Sequence, residues 1–175
     1  MLKTMRNSAL ILPLTLVACA GQMKAPDAPQ AVTPPAGSKY SMTTVGVGEI
    51  TYECRAKAGA ADTFEWVFAG PVATLYDNNK AVVGKYYGGP TWEAADGSKV
   101  TGKQLATAPA SGPQNIPLQL VQANPATGSG AMTDVTFIQR LNTVGGVAPS
   151  APCNKSNAGA KQQVKYQADY VFYKK

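Results

Sequence analysis

Two carboxylates lie close together in the most distinctive stretch of the chain, residues 86–98. Glu93 and Asp96 are three positions apart, and a pair of carboxylates is what most glycoside hydrolases use to cleave a sugar linkage. The competing interpretation is structural, because an aspartate directly before a glycine, here Gly97, commonly shapes a tight hairpin turn. On that interpretation Glu93 is an exposed strand residue and the pair has no catalytic role.

Aromatic residues in the same stretch suggest recognition without catalysis. Trp92 with Tyr86 and Tyr87 could present flat apolar faces to a sugar or a peptide. The alternative is that these rings pack beneath the turn as part of the core. The sequence leaves both interpretations open.

Arg140 lies on a strand that is otherwise suited to burial, so it needs a partner. It could clamp a carboxylate or another anion, or it could form a structural ion pair with Glu53, Glu93 or Asp134. The candidate ligand contacts are therefore Tyr86, Trp92, Glu93, Asp96 and Arg140.

Histidine is absent from all 175 residues. This excludes Ser-His-Asp and Cys-His nucleophilic sites and the usual imidazole metal sites. We expect no metal and no cofactor, and the sequence points to no catalytic residue. The sequence leaves enzymatic activity open, although the absence of a recognisable catalytic group weighs against it.

The charge is mildly basic, +6 from 16 Lys and Arg against 10 Asp and Glu. The basic residues are spread thinly, and the longest run is the terminal pair Lys174-Lys175. A nucleic-acid-binding protein normally shows a concentrated basic stripe with interleaved aromatic residues. We therefore expect no nucleic-acid partner.

Residues 1–18 have the organisation of a secretory signal peptide, with a basic start and a short apolar run. Leu16-Val17-Ala18-Cys19 follows and resembles the bacterial lipobox, whose cysteine is acylated and becomes the first mature residue. Ala18-Cys19-Ala20 also fits ordinary signal cleavage, which is the alternative. By resemblance to lipoprotein sorting rules, alanine after the cysteine implies delivery to the outer membrane of a bacterial envelope, on a face that the sequence does not reveal.

The remaining two cysteines, Cys54 and Cys153, are expected to form a disulfide, because an exported protein folds in an oxidising compartment. The bond would close a loop of about 100 residues. Two free buried thiols are the alternative.

Three regions follow from composition. Residues 1–18 are the signal peptide, and residues 19–39 are an anchor with a proline-rich tether. Four prolines and few apolar residues cannot make a core, so they predict an extended tether of roughly 60 Å. Residues 40–175 are the folded domain.

The domain shows period-2 alternation in many short runs separated by turn residues, and no helical period. The clearest strand is 164–173, and 63–68 and 71–76 are predicted as two separate strands. Residues 106–115, 124–131 and 145–157 are predicted loops. We predict an all-β, single-domain antiparallel sandwich or closed barrel of about eight or nine strands.

Several motifs occur in an order that resembles the DUF3455 family of exported proteins of unknown function. They are Gly46-Val47-Gly48 with Tyr52-Glu53-Cys54, residues 89–98, Val135-Thr136, residues 139–149, Cys153 and residues 166–173. One departure is Lys85-Tyr86-Tyr87, where the family pattern has a histidine. The resemblance implies no mechanism.

Three functions fit these observations. The first is a non-enzymatic envelope protein, attached to the membrane by its lipid, that binds a glycan, a peptide or a protein. The second is a carboxylate-dependent hydrolase acting on polysaccharide through Glu93. The third is a purely structural envelope protein.

Overall fold

The computed structural model describes residues 24–175. Within them the strands are β1 (Lys39–Lys57), β2 (Ala60–Tyr76), β3 (Val82–Tyr87), β4 (Thr91–Ala94), β5 (Lys99–Ala108), β6 (Leu118–Ala123), β7 (Val135–Gly145) and β8 (Lys161–Lys174). Two short 3-10 helices, Gln30–Val32 and Lys155–Asn157, lie outside the sheet. In this part of the chain no helix is long and apolar enough to cross a membrane.

Each strand pairs antiparallel with the next, and β8 pairs with β1, so the sheet closes. The predicted all-β antiparallel fold is confirmed, and of the two predicted forms the strand pairing describes the closed barrel. Because the strands alternate in direction, the β1–β2, β3–β4, β5–β6 and β7–β8 connections lie together. We call this the Pro90 end, and the opposite end the Asp96 end.

The second strand is longer than predicted. The runs 63–68 and 71–76 belong to one strand, β2, and not to two. Its pairing with β1 shifts by one residue between Thr51 and Tyr52, which leaves Ala69 as an extra residue in a β-bulge. A bulge kinks a strand without ending it, so the Ala69-Gly70 break in the sequence pattern does not interrupt the sheet.

The fifth strand also extends further than expected, into the predicted loop 106–115. β5 reaches Ala108, and a register shift between Gln104 and Ala106 leaves Leu105 unpaired against β6. After this bulge, inward and outward positions are exchanged, because side chains alternate across a strand. Gln104 thus faces inward and Ala106 faces outward.

The inside of the barrel is filled by aromatic and aliphatic side chains, among them the fully buried Trp92, Tyr170 and Phe172. The Tyr170 ring occupies the space that Gly46 leaves free on β1: a Cβ at Gly46 would lie 2.6 Å from a ring carbon. The absence of a side chain at Gly46 therefore makes room for the Tyr170 ring.

The outer wall carries a second apolar cluster that involves the N-terminal segment. Val171 and Tyr173 alternate along β8 with the inward Tyr170 and Phe172, so they face outward. Both are nevertheless buried. The residues of this outer cluster are Val32, Ala108, Leu120, Leu141, Val171 and Tyr173.

Val32 covers this cluster and is 0% exposed. The side-chain amide of Gln139 donates a hydrogen bond of 2.6 Å to the Val32 carbonyl, and Tyr173 donates one of 2.6 Å to Gln139. The described part of the predicted tether, residues 24–38, thus contributes Val32 to a packed cluster on the barrel wall. Even a segment with few apolar residues can dock when the barrel wall offers an apolar surface to bury them against.

The predicted disulfide is confirmed. Cys54 and Cys153 are bonded, with their Cα atoms 5.5 Å apart. Cys54 is fully buried, as its inward position on β1 predicted. Its backbone also exchanges hydrogen bonds with Gly159 and Ala160 in the β7–β8 connection. Covalent and hydrogen bonds together hold this connection across the Pro90 end.

Candidate binding site

A cavity of about 420 Å³ opens beside the β3–β4 turn at the Pro90 end. We call it the Arg140 cup. Its lining combines inward-facing residues of β2, β3, β5, β6 and β7 with the turn itself. The residues used below are Phe68, Tyr86, Pro90, Gln104, Gln119 and Arg140.

A larger groove of about 700 Å³ lies on the outside of the wall, where Val47, Val72 and Val144 are exposed. It is a shallow surface with exposed valines and scattered polar side chains. Ligand sites are usually concave, with a few polar groups that converge. The smaller cup fits that description better.

Arg140 is held by a backbone carbonyl and not by a carboxylate. Its Nε and Nη2 donate hydrogen bonds of 3.2 and 2.9 Å to the carbonyl oxygen of Pro117. The expected ion pair is not formed: Glu53 pairs with Arg55 and Glu93 with Lys85, and no salt bridge of the described residues includes Arg140. A neutral carbonyl orients the guanidinium but leaves its charge uncompensated.

Beneath the cup lies a stack of buried rings. Tyr86 stacks on Trp92 with ring centroids 4.8 Å apart and contacts Tyr170 at 4.9 Å. Burial raises the pKa of Tyr86 and Tyr170, and the positive charge of Arg140 acts in the opposite direction on both. The guanidinium thus influences neutral hydroxyl groups inside the barrel.

The two aromatic candidates differ in position. Tyr86 lines the cup, although it is only 5% exposed. Trp92 is 1% exposed and does not line it. Trp92 therefore has the position of a core residue that supports Tyr86 from below, which agrees with the structural alternative.

Glu93 lies on the outer wall, because it alternates with the inward Trp92 on β4. Its carboxylate accepts a hydrogen bond of 2.6 Å from the Tyr87 hydroxyl and forms an ion pair with Lys85, with the nitrogen and oxygen 3.2 Å apart. The hydrogen bond from Tyr87, followed by that from Lys85, lowers the pKa of Glu93. Glu93 is thus stabilised as a carboxylate at a distance from the cup lining.

Asp96 belongs to the opposite end of the barrel. It accepts hydrogen bonds from the backbone and hydroxyl of Ser98 at 2.9 and 2.6 Å, and from the Ala131 N–H at 2.7 Å. The Ser98 hydroxyl, followed by the Ala131 N–H, lowers the pKa of Asp96. The residue closes the β4–β5 turn, as the Asp96-Gly97 pattern predicted, and joins it to the segment before β7.

The structure therefore separates the residues that the sequence grouped together. Tyr86 and Arg140 share the cup, whereas Glu93 and Asp96 have separate sets of partners elsewhere. A glycosidase acid needs a raised pKa to hold its proton, and both carboxylates have lowered values.

Sequence reasoning missed four of these cup residues: Phe68, Pro90, Gln104 and Gln119. Gln119 gave a weak signal, since it stands between Leu118 and Leu120 on the same strand face as Val121. Gln104 gave none, because the bulge at Leu105 changes which residues of β5 face inward. In the structure the Gln119 amide donates a hydrogen bond of 2.5 Å to Gln104.

Comparison with known proteins agrees with the motifs. No curated protein and no solved structure matches the chain. Residues 35–174 match the family described as "Protein of unknown function (DUF3455)". This match covers most of the chain and almost all of the barrel, so the protein belongs to the DUF3455 family.

Proposed function

We propose that this protein is a non-catalytic binding module of the bacterial cell envelope, anchored by lipid at Cys19. The observation that carries the binding role is the Arg140 cup. It presents a partly exposed guanidinium, held in place by Pro117, within a concave and mostly apolar lining. A protein that served only as a structural element would not require an uncompensated charge in such a position.

A hydrolase acting through Glu93 has less support. A general acid or nucleophile must meet its substrate in a cleft. Glu93 instead faces outward and is already engaged by Tyr87 and Lys85. The geometry thus favours binding over turnover.

The binding role predicts that small molecules enter the cup. We expect a fragment library to shift the NMR signals of the Gln104 and Gln119 side-chain amides in the full-length protein. Filling the cup with Gln119→Phe should abolish the shift of the Gln104 amide, which is the reporter that this variant keeps. Gln122→Phe is the matched control, because Gln122 lies on the same strand but is exposed and faces outward.

Two outcomes would contradict this proposal. One is the absence of any bound fragment, and the other is binding that Gln119→Phe and Gln122→Phe affect equally. The backbone spectra of both variants show whether the barrel is still folded.

The envelope role rests on the signal-like start and on the lipobox, which lie outside the described residues. The disulfide supports it, since disulfides persist in oxidising compartments. The docked N-terminal segment also limits how far the barrel can lie from the lipid anchor. Ala25, Ala28 and Val32 all pack against the wall, so the docked segment begins next to Lys24. Only residues 20–23 separate Lys24 from Cys19, a span of at most about 18 Å.

The anchor predicts a barrel close to the lipid surface. In neutron reflectometry of the lipidated protein on a supported bilayer, we expect protein density to begin within about 18 Å of the headgroups. The Cys19→Ser variant should not be retained on the bilayer. Equal retention of Cys19→Ser would refute the anchor, and a gap approaching roughly 60 Å would show an extended tether.

A further inference from the structure

The unused donors of Arg140 define what the cup can recognise. A guanidinium carries five N–H groups, and the Pro117 carbonyl accepts two of them, from Nε and Nη2. The remaining N–H groups of Nη1 and Nη2 have no partner among the hydrogen bonds of the described residues. They lie on a planar fork whose geometry matches a carboxylate.

The charge of the lining favours a ligand with one negative charge. Arg140 is the single ionisable cation among the lining residues, and the lining contains no acidic residue. A doubly charged phosphate would need a second cation or several backbone donors to compensate it. A carboxylate carries one charge and needs one fork.

The apolar residues of the lining indicate the shape and polarity of the part of the ligand that does not contact Arg140. Phe68 is 53% exposed although it is a large aromatic residue. Phe68, Pro90 and Tyr86 line the same cavity, and their rings offer it apolar faces. A flat apolar body could lie against them and cover Phe68, while the amide groups of Gln104 and Gln119 that their mutual hydrogen bond does not use could form secondary hydrogen bonds.

We propose that the Arg140 cup binds a small monocarboxylate with a flat, apolar body. This inference rests on the proposed binding role and names the chemical class of the ligand. The carboxylate contacts the free edge of the Arg140 guanidinium, and the body packs against Phe68, Pro90 and Tyr86. A cavity of about 420 Å³ lies within the usual range for small-molecule sites, roughly 300 to 1,000 Å³.

Three probes of similar shape test the class: benzoate, the neutral benzamide and the doubly charged phenyl phosphate. Titrations of the full-length protein by calorimetry or NMR should show benzoate binding at least about tenfold more tightly than benzamide. Phenyl phosphate should bind no better than benzoate.

Variants connect this preference to Arg140. Arg140→Gln keeps a donor for the Pro117 carbonyl, and we expect it to weaken benzoate binding by about tenfold or more. Arg140→Lys keeps the charge but loses the planar fork, so its affinity for benzoate should lie between those of the wild type and Arg140→Gln. Lys103→Gln is the matched control, since it removes one positive charge from an exposed, outward position of β5 and should leave affinity unchanged.

The outcomes separate the two proposals. Equal binding of benzamide and benzoate, tighter binding of phenyl phosphate, or an equal effect of Lys103→Gln would refute the carboxylate class. In those cases the cup would still be a binding site. If no fragment or probe binds in the cup, both proposals fail. An Arg140→Gln variant that unfolds is replaced by Arg140→Lys, whose loss of benzoate affinity carries the same test.

Discussion

Replacing Gly48 with alanine is expected to lower the free energy of unfolding by about 3 kcal/mol, the upper part of the range for overpacked cores. Gly48 occupies an inward position of β1, directly opposite Ala73 of β2. A Cβ at this position would overlap the carbonyl oxygen of Val72 and lie 2.5 Å from the Cα of Ala73. These are backbone atoms of a neighbouring strand, so they cannot rotate away as a flexible side chain would.

Gly88→Ala provides the matched control. A Cβ at Gly88 would meet no atom within 4 Å, and Gly88 is not among the glycines with positive φ. We expect this variant to change stability by less than about 0.5 kcal/mol, as for most surface substitutions. Urea unfolding followed by tryptophan fluorescence measures both effects, and equal values for the two variants would show that the close approach of β1 and β2 is not rigid.

Loss of the disulfide is expected to be the other large effect. Converting Cys54 and Cys153 together to alanine should lower the free energy of unfolding by about 4 kcal/mol, since the bond closes a long loop in the unfolded chain. The two residues are separated by 99 positions. The folded barrel should keep its shape, because β1 and β8 pair along most of their lengths independently of the bond.

Urea unfolding with and without a reducing agent checks this effect. Reduction should lower the stability of the wild type towards that of the double alanine variant and should leave the variant unchanged. A wild type that is equally stable with and without the reducing agent, although its disulfide is reduced, would contradict the prediction. The same result would mean that hydrogen bonds of Cys54 to Gly159 and Ala160 hold the β7–β8 connection by themselves.

Local patterns in the sequence determined much of the fold. Period-2 alternation identified the final strand, and the Asp96-Gly97 pair identified the β4–β5 turn, because both signals depend on neighbouring residues alone. The disulfide followed from cysteine parity and the predicted compartment. The absence of histidine, read directly from composition, removed the commonest catalytic sites.

Tertiary structure decided which side chains face the inside of the barrel and which surface segments are buried. The bulges at Ala69 and Leu105 arise from pairing with other strands, and they set which residues of β2 and β5 face inward. The sequence around Val32 predicted a tether, but in the structure Val32 packs against the apolar outer wall. A residue's neighbours along the chain carry no information about such distant partners.

Arg140 shows this division most clearly. Its sequence context predicted a buried cation that needs a partner, and the carboxylates Glu53 and Glu93 were available by type. Glu53 instead pairs with Arg55 on the same strand, Glu93 pairs with Lys85 across the β3–β4 hairpin, and the pairing of β6 with β7 brings the Pro117 carbonyl to the guanidinium. The sequence by itself thus determined that Arg140 needs a partner, whereas only the pairing of the strands decided that this partner is the neutral Pro117 carbonyl.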